Sequence, residues 1–172
     1  MSRRVFAGAV RGGLALAVAV SLASCSTPPV EEATPGFYRR LDEGASLDAQ
    51  GALSLINSYR VRNGLTPLAL DEGLSEEARR RASTMAAADT STWGQMPTLT
   101  AAAGRGGAQV RAERASAGYR TVAEAFSGWR DSPPHNRVLL EPRGTRLGIA
   151  AVDRPGTKYR VYWDIIVAGP DR

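Results

Sequence analysis

Cys25 is the only cysteine in this chain of 172 residues, and that scarcity constrains what the chain can fold into. Without a second thiol no disulfide can close within the chain, and a thiolate metal cluster cannot assemble. The residues after Cys25 must therefore be held together by an ordinary apolar core. Residues 25–172 suit one domain of common size, which is large enough to bury such a core.

The segment before Cys25 predicts an export signal. Three arginines precede a short apolar stretch that runs over residues 12–20, and residues 22–25 then read Leu-Ala-Ser-Cys. Small residues at this place suit a signal peptidase, and the stretch is shorter than the ~20 residues of a spanning helix. The order resembles the lipobox of bacterial lipoproteins, which implies a diacylglyceryl group on Cys25 and anchoring to a membrane.

Two details of this signal leave alternatives open. An ordinary secretory signal with a chance cysteine would look similar, and residues 2–6 (Ser-Arg-Arg-Val-Phe) resemble a twin-arginine signal rather than a general secretory one. Either route predicts a protein of the cell envelope that faces the periplasm or the exterior. The net charge of +5 includes the three arginines of the signal, so a nucleic-acid partner is not implied.

Composition divides the chain into three segments. We assign residues 1–24 to the signal and residues 25–44 to the acylated cysteine and a flexible spacer, because residues 26–36 are rich in proline and poor in large apolar side chains. Residues 45–172 form the predicted folded domain.

Three helices are predicted from periodicity and capping residues. The first spans Leu47–Asn63 with Ser46 as its cap, and the second spans Asp71–Ala88 with Asp71 as its cap. The three consecutive arginines 79–81 are expected on the solvated face of the second helix. The third helix spans Thr121–Arg130, and the following Ser-Pro-Pro sequence is expected to stop it.

Strands are predicted near the end of the chain. Leu147–Val152 and Lys158–Ala168 are joined by an Arg-Pro-Gly turn, and the second of them is expected to be central. Trp129 and Trp163 are both expected in the core. Residues 89–107 show no period, and a stretch this long is usually functional or mobile. Helices first and strands last predict an α+β fold.

One segment identifies a family. Residues 129–137 read Trp-Arg-Asp-Ser-Pro-Pro-His-Asn-Arg and are followed by a Leu-Leu pair and by Gly-Ile-Ala at 148–150. Upstream, residues 64–68 read Gly-Leu-Thr-Pro-Leu. Together they resemble the bacterial branch of the CAP superfamily, the SCP-like domains related to cysteine-rich secretory proteins, antigen 5 and pathogenesis-related 1 proteins. The resemblance covers Leu47–Gly169 and implies an α-β-α sandwich with helices around a small, mainly antiparallel sheet.

The resemblance also implies a cleft that gathers two histidines and one or two glutamates. His135 falls at the second histidine, and Glu113 falls at the glutamate of a Gly-Glu-Asn motif whose two other residues differ here. Ser132 falls where other members carry the second glutamate. Trp93 stands near the place of the missing first histidine. We therefore expect Trp93, Glu113, Ser132 and His135 to line a ligand-binding cleft.

The loss of one histidine limits the chemistry. Zinc needs three or four protein ligands, so we expect no metal site and no cofactor. A Glu113–His135 pair is the candidate for acid–base catalysis, because a neighbouring carboxylate would fix the tautomer of the imidazole and raise its pKa. The plainer alternatives are that His135 satisfies backbone groups at the Pro-Pro turn, and that Glu113 pairs with Arg111, Arg114 or Arg120.

These observations favour a non-catalytic, membrane-anchored, extracytoplasmic binding module, whose partners are the membrane through Cys25 and a lipid, peptide or cell-wall ligand. The alternative is a hydrolase that uses Glu113 and His135, although no nucleophile is marked by the sequence. A third alternative is a structural envelope lipoprotein without a ligand. Fold alone does not choose among them.

Overall fold

The computed structural model describes residues 34–91 and 109–170. Within these ranges none of the helices is both long enough and apolar enough to cross a membrane. Short 3-10 turns, Gly36–Tyr38 and Leu41–Glu43, precede the regular elements. The helices are α1 (Ala49–Arg62), α2 (Glu72–Ala88), α3 (Val122–Asp131) and α4 (Pro133–Leu139), and the strands are β1 (Ala69–Leu70), β2 (Gln109–Ala117), β3 (Arg146–Asp153) and β4 (Val161–Gly169).

The strands form one sheet in the order β1-β3-β4-β2. β1 pairs with β3 in parallel, whereas β4 pairs antiparallel with both β3 and β2. The last strand of the chain is therefore internal to the sheet, as its apolar sequence predicted. All nine of its residues are buried, which is the pattern of a strand covered on both faces.

Helices cover the two faces of the sheet and make three layers. α2 packs against β3 and β4 on one face, where Leu74, Met85 and Tyr162 belong to the buried clusters. α1, α3 and α4 cover the other face around the larger cluster, in which the Trp129 and Trp163 rings meet edge to face with centroids 5.6 Å apart. The predicted α-β-α sandwich with a mainly antiparallel sheet is confirmed, as is the core position of both tryptophans.

The helix ends show where local signals were read correctly and where they were not. Asp71 caps α2 as predicted, because its side chain accepts a hydrogen bond from the Leu74 backbone N–H. Asp48, rather than the expected Ser46, caps α1. Pro133 and Pro134 were expected only to stop α3, yet they also begin α4, since the fixed φ of proline suits the first helical turn.

Strand β2 was missed by sequence reasoning because charged and small residues alternate along it without an apolar period. β4 also begins later than predicted, at Val161, because Arg160 adopts a left-handed conformation with φ 67°. Packing reaches into the segment that the sequence assigned to the spacer. Leu41 is buried in the main cluster and its N–H donates to the Arg120 carbonyl.

Arg60 is the polar residue on which several elements converge. Its guanidinium is fully buried near the end of α1, and burial lowers the pKa of Arg60. Nε donates to the Thr66 carbonyl at 3.0 Å, and Nη1 donates to the Leu139 and Glu141 carbonyls at 2.7 and 3.0 Å. Nη2 reaches the Gly144 carbonyl at 3.4 Å. One side chain therefore joins α1 to the turn before β1 and to the end of α4.

We expect Arg60→Met to lower the free energy of unfolding by about 3–5 kcal/mol, because buried carbonyls lose a charged donor. Arg60→Lys should also destabilise, since a single ammonium lacks the planar fork that reaches all of these carbonyls. Urea denaturation of the full chain measures both changes. The matched control is Arg62→Met, which removes an exposed arginine of the same helix and should change stability by less than about 0.5 kcal/mol. Equal losses at positions 60 and 62 would contradict the assignment.

Candidate functional site

His135 lies in the first turn of α4 and contacts the edge strand β2. Its Nε2 is 3.1 Å from the Ala115 carbonyl oxygen, and its Nδ1 is 2.9 Å from the Ser132 hydroxyl oxygen. A carbonyl can only accept, so Nε2 carries the proton and donates it to Ala115, while Nδ1 accepts the hydroxyl proton of Ser132. Both ring nitrogens are engaged, and the lowered pKa of His135 favours the neutral ring in which Nδ1 accepts from Ser132.

The electrostatic surroundings of His135 keep it neutral. Burial is the main cause that lowers its pKa, the nearby charge of Arg114 lowers it further, and the bond to the Ala115 carbonyl opposes them. The expectation that a carboxylate would raise this pKa is therefore wrong. The tautomer is set by a backbone carbonyl instead of by Glu113.

The Ser132 hydroxyl does not cap α4. Ser132 is the N-cap of α4, and an N-cap hydroxyl ordinarily accepts from the backbone N–H of the second or third helical residue. The second residue, Pro134, has no N–H, the third residue, His135, has one, and the Ser132 side chain bonds to neither. Its hydroxyl is directed to His135 instead. The sequence left open whether these two side chains meet, and the structure brings them together.

Glu113 has a partner that the sequence did not suggest. Its Oε1 accepts from Arg81 Nη2 of α2 at 3.1 Å, so its ion pair is made with the second helix and not with the nearby arginines 111, 114 and 120. Neighbouring side chains of a strand point to opposite faces of the sheet. Glu113 therefore faces the layer of α2, and the next residue faces the layer of α1, α3 and α4.

Arg81 of α2 lies close to several carboxylates between the helix and the sheet. Besides Glu113 it lies 3.8 Å from Glu77 and, through Nε, 3.5 Å from Asp164 of β4. Asp164 is fully buried, and burial raises its pKa well above the ordinary range against the opposing charge of Arg81. Arg81 was expected on a solvated face. It is buried because it falls on the same helical stripe as Leu74, Ala78 and Met85, a signal that the spacing already contained.

The predicted site residues therefore fall into three groups. Ser132 and His135 are in contact on α4, whereas Glu113 contacts Arg81, and a shared cleft for Glu113 and His135 stays a prediction. Both nevertheless meet β2, at positions two residues apart, which is about 7 Å along the strand. Trp93 and Cys25 lie outside the described residues.

Arg114 completes the arrangement that we call the β2–α4 site: Arg114, the Ala115 carbonyl, Ser132 and His135. Sequence reasoning considered Arg114 only as a partner of Glu113. In the described part of the chain, no group of three or more His, Cys, Asp or Glu side chains is arranged to hold a metal ion.

The β2–α4 site has a base beside a hydroxyl but few donors for an oxyanion. Acyl transfer needs preorganised N–H groups aimed at the developing negative charge, and the start of a helix usually supplies them. Here the first two helical residues are Pro133 and Pro134, which contribute none. The Asn136 N–H is already bonded to the Ser132 carbonyl. Among the first three residues of α4, only His135 therefore has an N–H to offer to an oxyanion.

Comparison with known proteins identifies the family. The model described as "CAP: Cysteine-rich secretory protein family" matches residues 53–167. The chain belongs to this family. That range contains all four residues of the β2–α4 site, and it also contains Arg81 with its partners Glu77, Glu113 and Asp164. The site therefore lies inside the family domain.

Individual relatives are distant. Over 106 residues the chain is 27% identical to YkwD of Bacillus subtilis (strain 168), described as uncharacterized, with 59% of this chain and 41% of YkwD covered. A solved extracellular protein with an SCP domain from Bacillus anthracis gives a TM-score of 0.57 at 23% identity over 70% of this chain and 40% of that one. A solved outer surface protein of Borrelia burgdorferi gives a TM-score of 0.53 at 17% identity over 72% of this chain and 93% of that one. The chain thus spans about two fifths of both Bacillus proteins.

His135 is the only histidine of the chain, so one imidazole resonance of the tag-free protein reports its titration. We expect an NMR midpoint below the ordinary value of about 6.5 and nitrogen shifts of the Nε2–H tautomer. Ser132→Ala should raise the midpoint, because the lost O–H donor stabilises the neutral ring. A midpoint above about 6.5 in the wild type would contradict this picture and favour a carboxylate partner.

The same shift predicts the sign of a pH effect on stability. Because the native pKa is lowered, the unfolded imidazole takes up its proton at a higher pH than the native one. The contribution of His135 to the free energy of unfolding is therefore present at about pH 7.5 and falls as the pH drops below about 6.5. The difference in stability between wild type and His135→Gln should accordingly be smaller at about pH 5 than at about pH 7.5.

Proposed function

We propose that this CAP-family chain is a lipid-anchored, extracytoplasmic binding protein that holds a lipid, peptide or cell-wall ligand without catalysing its hydrolysis. The observation that carries the proposal is the start of α4, where Pro133 and Pro134 have no N–H to offer to a developing oxyanion. His135 holds α4 to the edge of β2 through the Ala115 carbonyl, and its Nδ1 lies beside the Ser132 hydroxyl. An imidazole in this position is able to accept a proton, but a base with so few oxyanion donors beside it does not complete a hydrolytic site.

The ion pair of Glu113 supports the same proposal. Glu113 is engaged by Arg81 on the α2 side of β2, so its carboxylate does not act as the orienting partner of His135. What the β2–α4 site offers is a partly buried surface with a cation, a hydroxyl and an imidazole, which suits recognition of a polar group.

The location outside the cytoplasm is supported by two independent features. The first is the signal-like segment that ends in Leu-Ala-Ser-Cys at residues 22–25. The second is the family, because the solved relatives include a protein named as extracellular and one named as an outer surface protein. The lipid anchor itself rests on Cys25 alone.

Turnover assays test the absence of catalysis. Wild type, Ser132→Ala and His135→Ala are compared against peptide, ester and cell-wall substrates, with folding checked by circular dichroism. We expect no turnover above the blank in any of the three. The serine–histidine pair at 2.9 Å is the strongest argument for a hydrolase. Wild-type turnover that disappears in either folded variant would promote that alternative.

Lipidation is tested at Cys25. Expressed in a bacterium with its own leader, the protein should appear in the membrane fraction, and mass spectrometry should find an acylated N-terminal peptide that begins at Cys25. Cys25→Ala should shift the protein to the soluble or uncleaved form, whereas Ser26→Ala, a matched change at the next position, should leave the anchoring unchanged. Identical fractionation of wild type and Cys25→Ala would refute the anchor.

A further inference from the structure

Arg114 sits in β2 between two residues that face the layer of α1, α3 and α4. On one side of it, Ala112 packs against the main cluster, and on the other, Ser116 Oγ accepts from Trp129 Nε1 at 2.9 Å. Since alternate residues of a strand share a face, Arg114 faces this layer too. It is partly buried, and it immediately precedes Ala115, whose carbonyl binds His135.

The guanidinium of Arg114 has no partner among the described residues. Its Nε is buried without a hydrogen bond, and no carboxylate lies within ion-pair distance in residues 34–91 and 109–170. The Nε atoms of Arg40 and Arg111 also lack a hydrogen bond, but every other partly or fully buried arginine in these ranges has at least one carboxylate or carbonyl partner. These arginines are Arg40, Arg60, Arg81, Arg111, Arg146 and Arg160.

The neighbours of Arg114 do not provide the missing counter-charge. His135 is neutral and donates its ring proton to Ala115, and the Ser132 hydroxyl is committed to His135. Glu113 is adjacent in sequence but faces the opposite side of the sheet, where it binds Arg81. A guanidinium stays charged at every relevant pH, and burying it without an anion is costly.

We propose that Arg114 is the anion-binding residue of the β2–α4 site, and that the ligand presents an oxyanion, a carboxylate or a phosphate, to it. The planar fork of arginine matches both groups with two parallel hydrogen bonds. The neutral imidazole beside it adds no competing charge and gives the anion a polar but uncharged wall. This inference rests on the proposed binding function and specifies the chemical class of its ligand.

The test follows the Arg114 side chain directly. The full chain, labelled with ¹⁵N and held in non-ionic detergent, is titrated with three probes: glycerol 1-phosphate, N-acetyl-alanyl-alanine, and the C-terminal amide of that dipeptide. The Nε–Hε resonance of Arg114, assigned by its loss in Arg114→Gln, should shift in a saturable way with at least one of the two anions and not with the amide. Which anion binds more tightly distinguishes a phosphate headgroup from a peptide carboxylate.

Variants of two arginines distinguish specific binding of the anion at Arg114 from general attraction of the anion to a basic surface. Arg114→Gln should weaken binding of the preferred anion by at least about tenfold, and Arg114→Lys should weaken it less, because the charge is kept and the fork is lost. Arg137→Gln, which removes an exposed charge of α4, should change the affinity by less than about twofold. Thermal unfolding of each variant shows that it is folded.

Several results would overturn the proposal. The first is the absence of a saturable shift with either anion up to about 100 mM, which is roughly the limit of useful weak binding. The second is an equal loss of affinity in Arg114→Gln and Arg137→Gln. The third is binding of the dipeptide amide as tightly as the dipeptide acid. In that last case the His135 resonance would still move, so the binding function would stand without its anion. Turnover in the substrate assays would instead contradict the proposed non-catalytic function. The anion titration would then still decide whether Arg114 binds an anion.

Discussion

The buried guanidinium of Arg60 is the interaction on which the site depends. It is a residue of α1, yet its hydrogen bonds end on the turn before β1, on the last residue of α4 and on the loop that leads to β3. Carbonyls at the end of a helix lack partners within that helix, and Arg60 supplies a donor to them. In many exported domains disulfides join distant segments. In this chain with one cysteine, the hydrogen bonds of Arg60 join such segments instead.

The placement of α4 has a direct consequence at the edge of the sheet. Edge strands expose unpaired backbone groups, and these groups have to be covered or satisfied. His135 satisfies the Ala115 carbonyl of β2 from α4, and Tyr59 of α1 holds the same helix by donating to Asn136 at 3.1 Å. The short helix is thus fixed at both ends and along its side. His135 thus contributes to the packing of α4 on the sheet, and its burial there is the main cause that lowers its pKa.

The two faces of β2 differ in their balance of acidic and basic side chains. On the α2 side, Arg81 faces three acidic residues, and burial is the main cause that raises the pKa of one of them, Asp164. On the α4 side, Arg114 faces no acidic group of the described residues. An excess of carboxylate can be relieved by binding a proton, whereas an isolated guanidinium cannot lose its own. The proposed anion site therefore lies on the α4 side of β2.

Much of the architecture could be predicted from the sequence alone. Helix periodicity located α1, α2 and α3 to within about two residues, and the apolar run of β4 marked it as internal. The residues around His135 pointed to the family and hence to the three layers. Local patterns sufficed there because each of those elements buries a stripe or a face that its own residues define.

What the sequence could not decide is which residues meet. β2 lacks an apolar period, so neither the strand nor the separation of Glu113 from Arg114 onto opposite faces was visible in it. Ser132 and His135 meet at two prolines that begin a helix instead of only ending one, and the ion pair of Arg81 with Asp164 joins α2 to the last strand of the chain. The sequence by itself determined the family, the helices and the reliance on a core without disulfides. Only the tertiary structure assigned partners to the charges, because those partners come from distant segments that the packing of three layers brings together.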